Sequence, residues 1–187
     1  MPSTKSADPD VAEVRTAHTS SLGAADLRAV RALLDEAFEG DFTDQDYEHG
    51  LGGTHVLIWD GPTLIAHGSV VMRRLLYAGR TLRTGYVEGV GVHSDHRGRG
   101  HANAVMTALE QVIEGAYEIG ALSSSEIAID FYASRGWTLW TGTASVLSPS
   151  GIERTPDDEG AIYLLPGTAQ LPTGGDLACD WRTGEVW

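Results

Sequence analysis

Val90-Gly91-Val92 is followed, after four intervening residues, by Arg97-Gly98-Arg99-Gly100-His101-Ala102, where a long segment with helical apolar spacing begins. A turn of this composition suits phosphate. The first amides of a helix have no acceptor within the helix, and the helix start carries partial positive charge. Glycine lets an anion approach the backbone closely. Arg97 and Arg99 add positive charge in a chain that has little of it. The turn lacks the Lys-Ser/Thr pair of a Walker loop. It also lacks the early βαβ unit and the later ribose-binding acid of a dinucleotide fold. Taken alone, the pattern also fits an ordinary helix start with solvent-facing arginines.

Charge narrows the choice of partner. Lys and Arg total 13 against 26 Asp and Glu, a formal net charge of −13. Such a field repels phosphate backbones and attracts cations, which argues against nucleic acid and for a positively charged ligand. Acidity for the sake of solubility is the plainer alternative. The acidic residues gather in three places: Glu39, Asp41, Asp44, Asp46 and Glu48; Asp157, Asp158 and Glu159; and Asp176, Asp180 and Glu185 with the Trp187 carboxylate. Asp44 and Asp46 also suit a helix N-terminus. The seven histidines show no metal-ligand spacing, so no metal is expected. Cys179, the single cysteine, reads as a packed thiol and excludes an intramolecular disulfide, in keeping with a cytoplasmic protein. No apolar run reaches the roughly 20 residues of a membrane span, and residues 1–10 show no secretory h-region.

These residues must be carried by regular elements. The 187-residue chain, 42% hydrophobic, suits one domain over residues 11–187 behind a flexible tail at 1–10. Strand patterning predicts strands over 11–18, 55–60, 63–76 and 82–93, with turns at Gly61-Pro62 and Ala78-Gly79. Leu27, Val30, Leu33, Leu34 and Phe38 predict a helix over 24–38. Thr43 and Asp46 form a capping-box pattern before a short helix ending near His49. Gly85, Gly89 and Gly91 inside one strand point to a bulge or a close approach. Helices are expected over 101–119 and 125–135, the second closed by Gly136. Further strands are expected over 121–124, 137–147 and 161–165, with a polar loop at 148–160. The stretch 168–187 reads as irregular but packed back through Trp181 and Trp187. The order is that of a mixed α/β domain.

Arg97-x-x-Gly100-x-Ala102 resembles the phosphate-binding signature of the GNAT acetyltransferases. Ala128-Ile-Asp-Phe131-Tyr132-Ala-Ser-Arg-Gly136-Trp137 resembles their second motif at the usual distance. More narrowly, several segments resemble the aminoglycoside 2′-N-acetyltransferases. They are Gly40-Asp41-Phe42-Thr43, Gly85 to Val90, Gly120 to Ser125, Arg154 to Asp158, and Cys179-Asp180-Trp181-Arg182 with the closing Val186-Trp187. The resemblance implies an α/β GNAT fold whose central, mostly antiparallel sheet contains a splayed strand, and a homodimer. It implies that Arg97, Gly98, Arg99, Gly100, His101 and Ala102 hold the pyrophosphate of acetyl-CoA. Val90, Gly91 and Val92 would then lie along its pantetheine arm. It also implies a polycationic aminoglycoside bound by Asp41, Glu88, Gly89, Ser123, Asp158 and the Trp187 carboxylate, with Asp46 and Asp157 adjacent.

Direct transfer to an amine needs a base, an oxyanion donor and an acid. Glu88, two residues before Val90, can accept the amine proton, or chiefly anchor the substrate ammonium. The Val90 N–H can face the thioester oxygen. The resemblance assigns Tyr132 the general acid for the departing thiolate. Two alternatives remain at this level: the same fold acting on another polyamine, amino sugar or peptide amine, and a non-catalytic acetyl-CoA-binding module.

Overall fold

A computed structural model describes residues 12–124 and 128–187. Its framework is one mixed sheet in the order β6-β9-β5-β4-β3-β10-β7-β8, with β2 and then β1 attached beside β3. The strands are β1 (Glu13–His18), β2 (Thr54–Asp60), β3 (Thr63–Tyr77), β4 (Arg80–Val92), β5 (Ile119–Ser123), β6 (Thr138–Leu139), β7 (Thr143–Ser148), β8 (Gly151–Arg154), β9 (Ile162–Pro166) and β10 (Asp176–Asp180). The helices are α1 (Ala24–Ala37), α2 (Asp44–His49), α3 (His101–Ala116) and α4 (Ile129–Ser134). Most pairings are antiparallel; β4 with β5 and β10 with β7 are parallel.

The long strand β3 organises the sheet. Its first half pairs with β2 and its last residues with β10, while β4 runs along its other edge. One face of this centre is covered by α3 through Val105, Met106, Leu109 and Ile113. The other is covered by α1 through Val30, Leu33 and Leu34, the residues that give its sequence a 3.6-residue period. A third cluster, around Leu75, Tyr86, Trp140 and Leu177, fills the sheet's far end. Burying each large aliphatic side chain contributes about 1.5–3 kcal/mol.

The expected meander and the short capped helix are present. The Thr43 N–H donates to Asp46 Oδ2 at 2.8 Å, and the Asp46 N–H to Thr43 Oγ1 at 3.2 Å. The expected tail at 1–10 and the start of the 125–135 helix lie outside the described residues, and α4 runs over Ile129–Ser134.

Four boundaries differ from the sequence pattern. The helix expected to reach residue 119 stops at Ala116, because the Glu118 N–H bonds Arg83 O at 2.8 Å and opens the β5 pairing instead. The strand expected over 137–147 is two strands. The Trp140 N–H bonds Ile162 O and the Thr141 N–H bonds Thr173 O, so the chain changes partners there. Gly142 permits that crossing, since a Cβ on it would lie 2.0 Å from Gly175 O. The loop expected over 148–160 contains the edge strand β8, exposed along its whole length and therefore without an alternating signal. The stretch expected to be irregular contributes β10, which inserts between β3 and β7 and buries Leu177 and Cys179.

Candidate active site

The site starts from a fault in the ladder between β3 and β4. His67 pairs with Gly91 and Ser69 with Glu88, so Gly89 and Val90 together face Gly68. The extra residue makes a β-bulge. Gly89 takes φ +55°, a left-handed conformation that glycine adopts without strain. On its other edge β4 pairs with β5 only through Thr84, Gly85 and Tyr86. Beyond Tyr86 the two strands part. Among the described residues the strand segment 87–92 therefore has one unpaired edge, and it carries the bulge that Gly85, Gly89 and Gly91 pointed to.

A cleft of about 590 Å³ opens at this divergence. Glu88, Gly89 and Val90 line it from β4, Ser123 and Ser124 from the end of β5, and Tyr132 from α4. From the opposite side it is bounded by Asp46 and His49 of α2 and by Arg182, Glu185 and Trp187 of the C-terminal segment.

Tyr132 is firmly placed. Arg135 forms a two-pronged pair with Glu110 of α3 at 2.8 and 2.6 Å, and the Trp137 indole N–H donates to the same carboxylate at 2.9 Å. Gly136, at φ +86°, turns the chain out of α4 so that both neighbours reach Glu110. Rings of Phe131, Trp137 and Tyr163 surround the Tyr132 ring. Burial pushes the Tyr132 phenol up to about 12, partly offset by a hydrogen bond with Ser124, so it stays protonated at neutral pH.

Glu88 is nearly buried, and burial raises its carboxyl above the ordinary range. The Arg182 guanidinium opposes that shift through a direct ion pair with Glu88 Oε1. Arg182 also donates to Glu185 O at 2.7 Å and to Trp187 O at 3.0 Å, and its guanidinium lies 5.4 Å from the Tyr86 ring centre. Sequence reasoning gave Arg182 no role. Its signal was present in the Cys179-Asp180-Trp181-Arg182 segment, but nothing local shows that its partner lies 94 positions earlier.

The acidic clusters separate into two groups. Asp44 pairs with Arg31, Glu159 with Arg154, and Asp180 with the buried Arg73. These carboxylates are taken up by ion pairs within the fold. Asp46 and Glu185 line the cleft. Asp41, Asp157 and Asp158 do not line it. Asp41 adjoins the lining residue Phe42, and Asp158 O accepts from the N–H of the lining residue Ala161 at 3.2 Å. Burial raises the Asp158 carboxyl somewhat. Trp187 is buried, with its indole N–H on Thr155 Oγ1 at 3.0 Å. The Cys179 thiol is buried, pushed up to about 11, and donates to Val186 O at 3.3 Å.

The arginine-glycine turn lies outside the cleft lining, at the start of α3. Gly100 caps that helix in a left-handed conformation with no side-chain cap, and the first intrahelical bond to it comes from the Ala104 N–H. The amides of His101, Ala102 and Asn103 are thus left without intrahelical acceptors. Nothing lies within 4 Å of where a Cβ would stand on Gly98 or Gly100, so the turn is open to an anion. Arg97 folds back to donate to Val92 O at 3.2 Å and Ala37 O at 3.1 Å, bracing the turn against β4 and α1. Arg99 is exposed.

Residues 18–140 match the acetyltransferase (GNAT) domain family. The chain belongs to the GNAT acetyltransferase family. It is 50% identical over 177 residues, 92% of this chain and 91% of the other, to an aminoglycoside 2′-N-acetyltransferase of Mycolicibacterium fortuitum. Solved structures share the fold at low identity. The GNAT N-acetyltransferase YhbS of Escherichia coli, solved with CoA, has a TM-score of 0.65 at 18% identity, with 95% of this chain and 94% of that one covered. ElaA of Escherichia coli has a TM-score of 0.60 at 17% identity, covering 83% and 99%.

Proposed function

We propose that this GNAT enzyme transfers the acetyl group of acetyl-CoA to the 2′-amine of an aminoglycoside. The observation that carries the reading is the meeting of Glu88, the Gly89–Val90 bulge and Tyr132 around one cleft that also has Asp46 and Glu185 in its lining. The kinship with the Mycolicibacterium enzyme supports the acceptor.

The residues present fit the cofactor. Free amides at the start of α3 suit its pyrophosphate, with Gly98, Gly100 and the exposed Arg99 beside them. The unpaired edge over Val90, Gly91 and Val92 suits an extended arm that adds to the sheet. Acetyl-CoA supplies a thioester-activated acetyl group. The chain's own residues do the rest. Glu88, ionised, takes a proton from the acceptor ammonium or holds it in place. The Val90 N–H donates to the carbonyl oxygen as negative charge grows there. Tyr132 Oη gives its proton to the departing sulfur. A phenol of raised pKa is a weak acid, but it is fully protonated and placed for the transfer.

Asp46, Glu185 and Glu88 favour a polycation, and the net charge of −13 draws it in. Asp41, Ser123, Asp157, Asp158 and Trp187 complete the acceptor side in this reading. We further assign the enzyme to the cytoplasm as a homodimer. The exposed Met72 on β3 and Ile152 on β8 favour a partner over the sheet's open end, and sedimentation velocity would test the assembly. Mass spectrometry of a 2′-amino aminoglycoside incubated with acetyl-CoA and the protein tests the activity, with NMR locating the new amide. The expected product is monoacetylated at the 2′ position. Acetylation elsewhere, or none with any 2′-amino acceptor, overturns the assignment.

A further inference from the structure

Two buried histidines stand directly behind the bulge, and the chemistry above does not use them. His67 on β3 and His55 on β2 are 2% and 1% exposed. His67 Nδ1 donates to Gly89 O at 2.8 Å. That bond fixes the tautomer: the proton is on Nδ1, so Nε2 is an acceptor. It faces His55 Nδ1 at 2.9 Å, which must then donate. His55 Nε2 in turn accepts from Thr19 Oγ1 at 2.7 Å, and Thr19 Oγ1 accepts from the Gly52 N–H at 2.9 Å. One set of protons satisfies the whole line with both rings neutral. Burial supports that state, holding His55 down to about 4 and His67 to about 3.

We infer that His67, backed by His55, is a positioning residue for the Val90 amide. The inference rests on the reading that Val90 N–H receives the developing oxyanion. The carbonyl of Gly89 and the N–H of Val90 belong to one peptide group. That group is planar and trans, so its C=O and N–H point in opposite directions. Drawing Gly89 O inward to His67 turns the Val90 N–H outward, to the cleft side. At a bulge this matters more than elsewhere, because Gly89 and Val90 share one partner and the regular ladder does not hold both peptides. Gly89 itself, having no Cβ, does not resist rotation of the peptide. The hydrogen bond to the carbonyl also polarises the peptide and strengthens its N–H as a donor. The second ring keeps the first from rotating: the bond from His55 Nδ1–H to His67 Nε2 holds the far edge of the His67 ring while Nδ1–H stays on Gly89 O.

The test has a spectroscopic and a kinetic arm. In nitrogen-15-labelled protein without cofactor, the imidazole spectrum is expected to show His67 and His55 as neutral Nδ1–H tautomers. An Nε2–H tautomer at His67 overturns the proposal whatever the variants do. His67→Leu fills the space without a donor; His67→Asn keeps a side-chain N–H at the branch position of Nδ1. The Val90 amide proton is expected to move upfield in His67→Leu and to stay near its wild-type position in His67→Asn. Turnover of a 2′-amino aminoglycoside is expected to fall about 10- to 100-fold in His67→Leu, with KM and the calorimetric affinity for CoA within about twofold. His67→Asn should recover most of it. A Val90 resonance that moves without loss of turnover would leave His67 holding the peptide but remove Val90 from the chemistry. An unmoved Val90 resonance, or equal losses in both variants, reduces His67 to packing and overturns the proposal. If His67→Leu fails to fold, the wild-type tautomers and the Asn variant still decide.

Discussion

The two walls of the cleft are built by different means. One wall is contiguous: β4, the end of β5 and α4 come from one stretch of the chain, and its shape is set by backbone, namely a bulge and a parting ladder, with the start of α3 lying beyond the lining. The other is assembled from α2 and residues 181–187, with Trp187 tied to Thr155. Side chains join it: His49 donates to Thr183 O at 2.7 Å across 134 positions, and Arg182 reaches Glu88, Glu185 and Trp187. A backbone wall keeps its shape through the sheet and has little choice of ligand. A side-chain wall can change ligand preference one residue at a time. In the proposed reaction the cofactor-facing part belongs to the first wall and acceptor choice to the second.

Substitutions can break that division, and the largest effect belongs to the contiguous wall. Tyr132→Phe removes the proposed proton donor and leaves the ring contacts in place. Turnover should fall about 100-fold or more, while KM for the aminoglycoside stays within about twofold. Because the phenol is held up to about 12, its ionisation should produce no alkaline loss of rate below about pH 10. Thiol-release kinetics across pH check both points. Unchanged turnover, with chemistry rate-limiting, would exclude Tyr132 from the mechanism.

Gly89→Ala strikes the same wall through its backbone. The added methyl meets Leu34 Cδ1 at 3.2 Å, and the residue must keep φ +55°. The strain costs about 1–3 kcal/mol of stability, read from denaturant unfolding. If the bulge relaxes, turnover drops about tenfold for every acceptor alike. An acceptor-dependent loss would contradict the proposed division of labour.

Arg182→Gln loosens the assembled wall. KM for the aminoglycoside should rise about tenfold, with CoA affinity unchanged. The pH profile should move too. Burial raises the Glu88 carboxyl and Arg182 is the main group lowering it, so losing the guanidinium raises it further. In the proposed role Glu88 must be ionised to take or hold the ammonium. The acid limb of kcat/KM therefore shifts to higher pH, and a shift to lower pH would contradict this account of Glu88.

The same division explains what could be read from the chain. Gly89, Gly98, Gly100 and Gly136 each mark a positive φ, and such conformations are written locally. The capping box at Thr43 and Asp46 is equally local. Conversely β8 has no buried side to produce alternation, and β10 is five residues whose strand character comes from sitting between β3 and β7. The acidic clusters were visible as charge but not as function. What separates Asp46 from Asp44 is an arginine 13 positions away that pairs with one and not the other. Arg182 and the His55–His67 pair escaped for the same reason, since each takes its meaning from a partner on another strand or segment.

The smallest expected effects lie at the outer margin of the assembled wall. Asp41 and Asp157 are exposed and do not line the cleft. A polycation that extends past the lining would meet them through solvent, where a charge pair is worth at most about 1 kcal/mol and salt screens it. Asp41→Asn and Asp157→Asn should each raise KM about two- to threefold at low ionic strength, and the difference should vanish near molar salt. Asp158→Asn should cost more and keep part of its effect in salt, because that carboxylate is partly buried and its charge is less screened. Measured side by side, the three variants rank the acceptor wall from rim to interior. An Asp41 or Asp157 effect that survives salt would mean that the bound substrate draws those residues into direct contact.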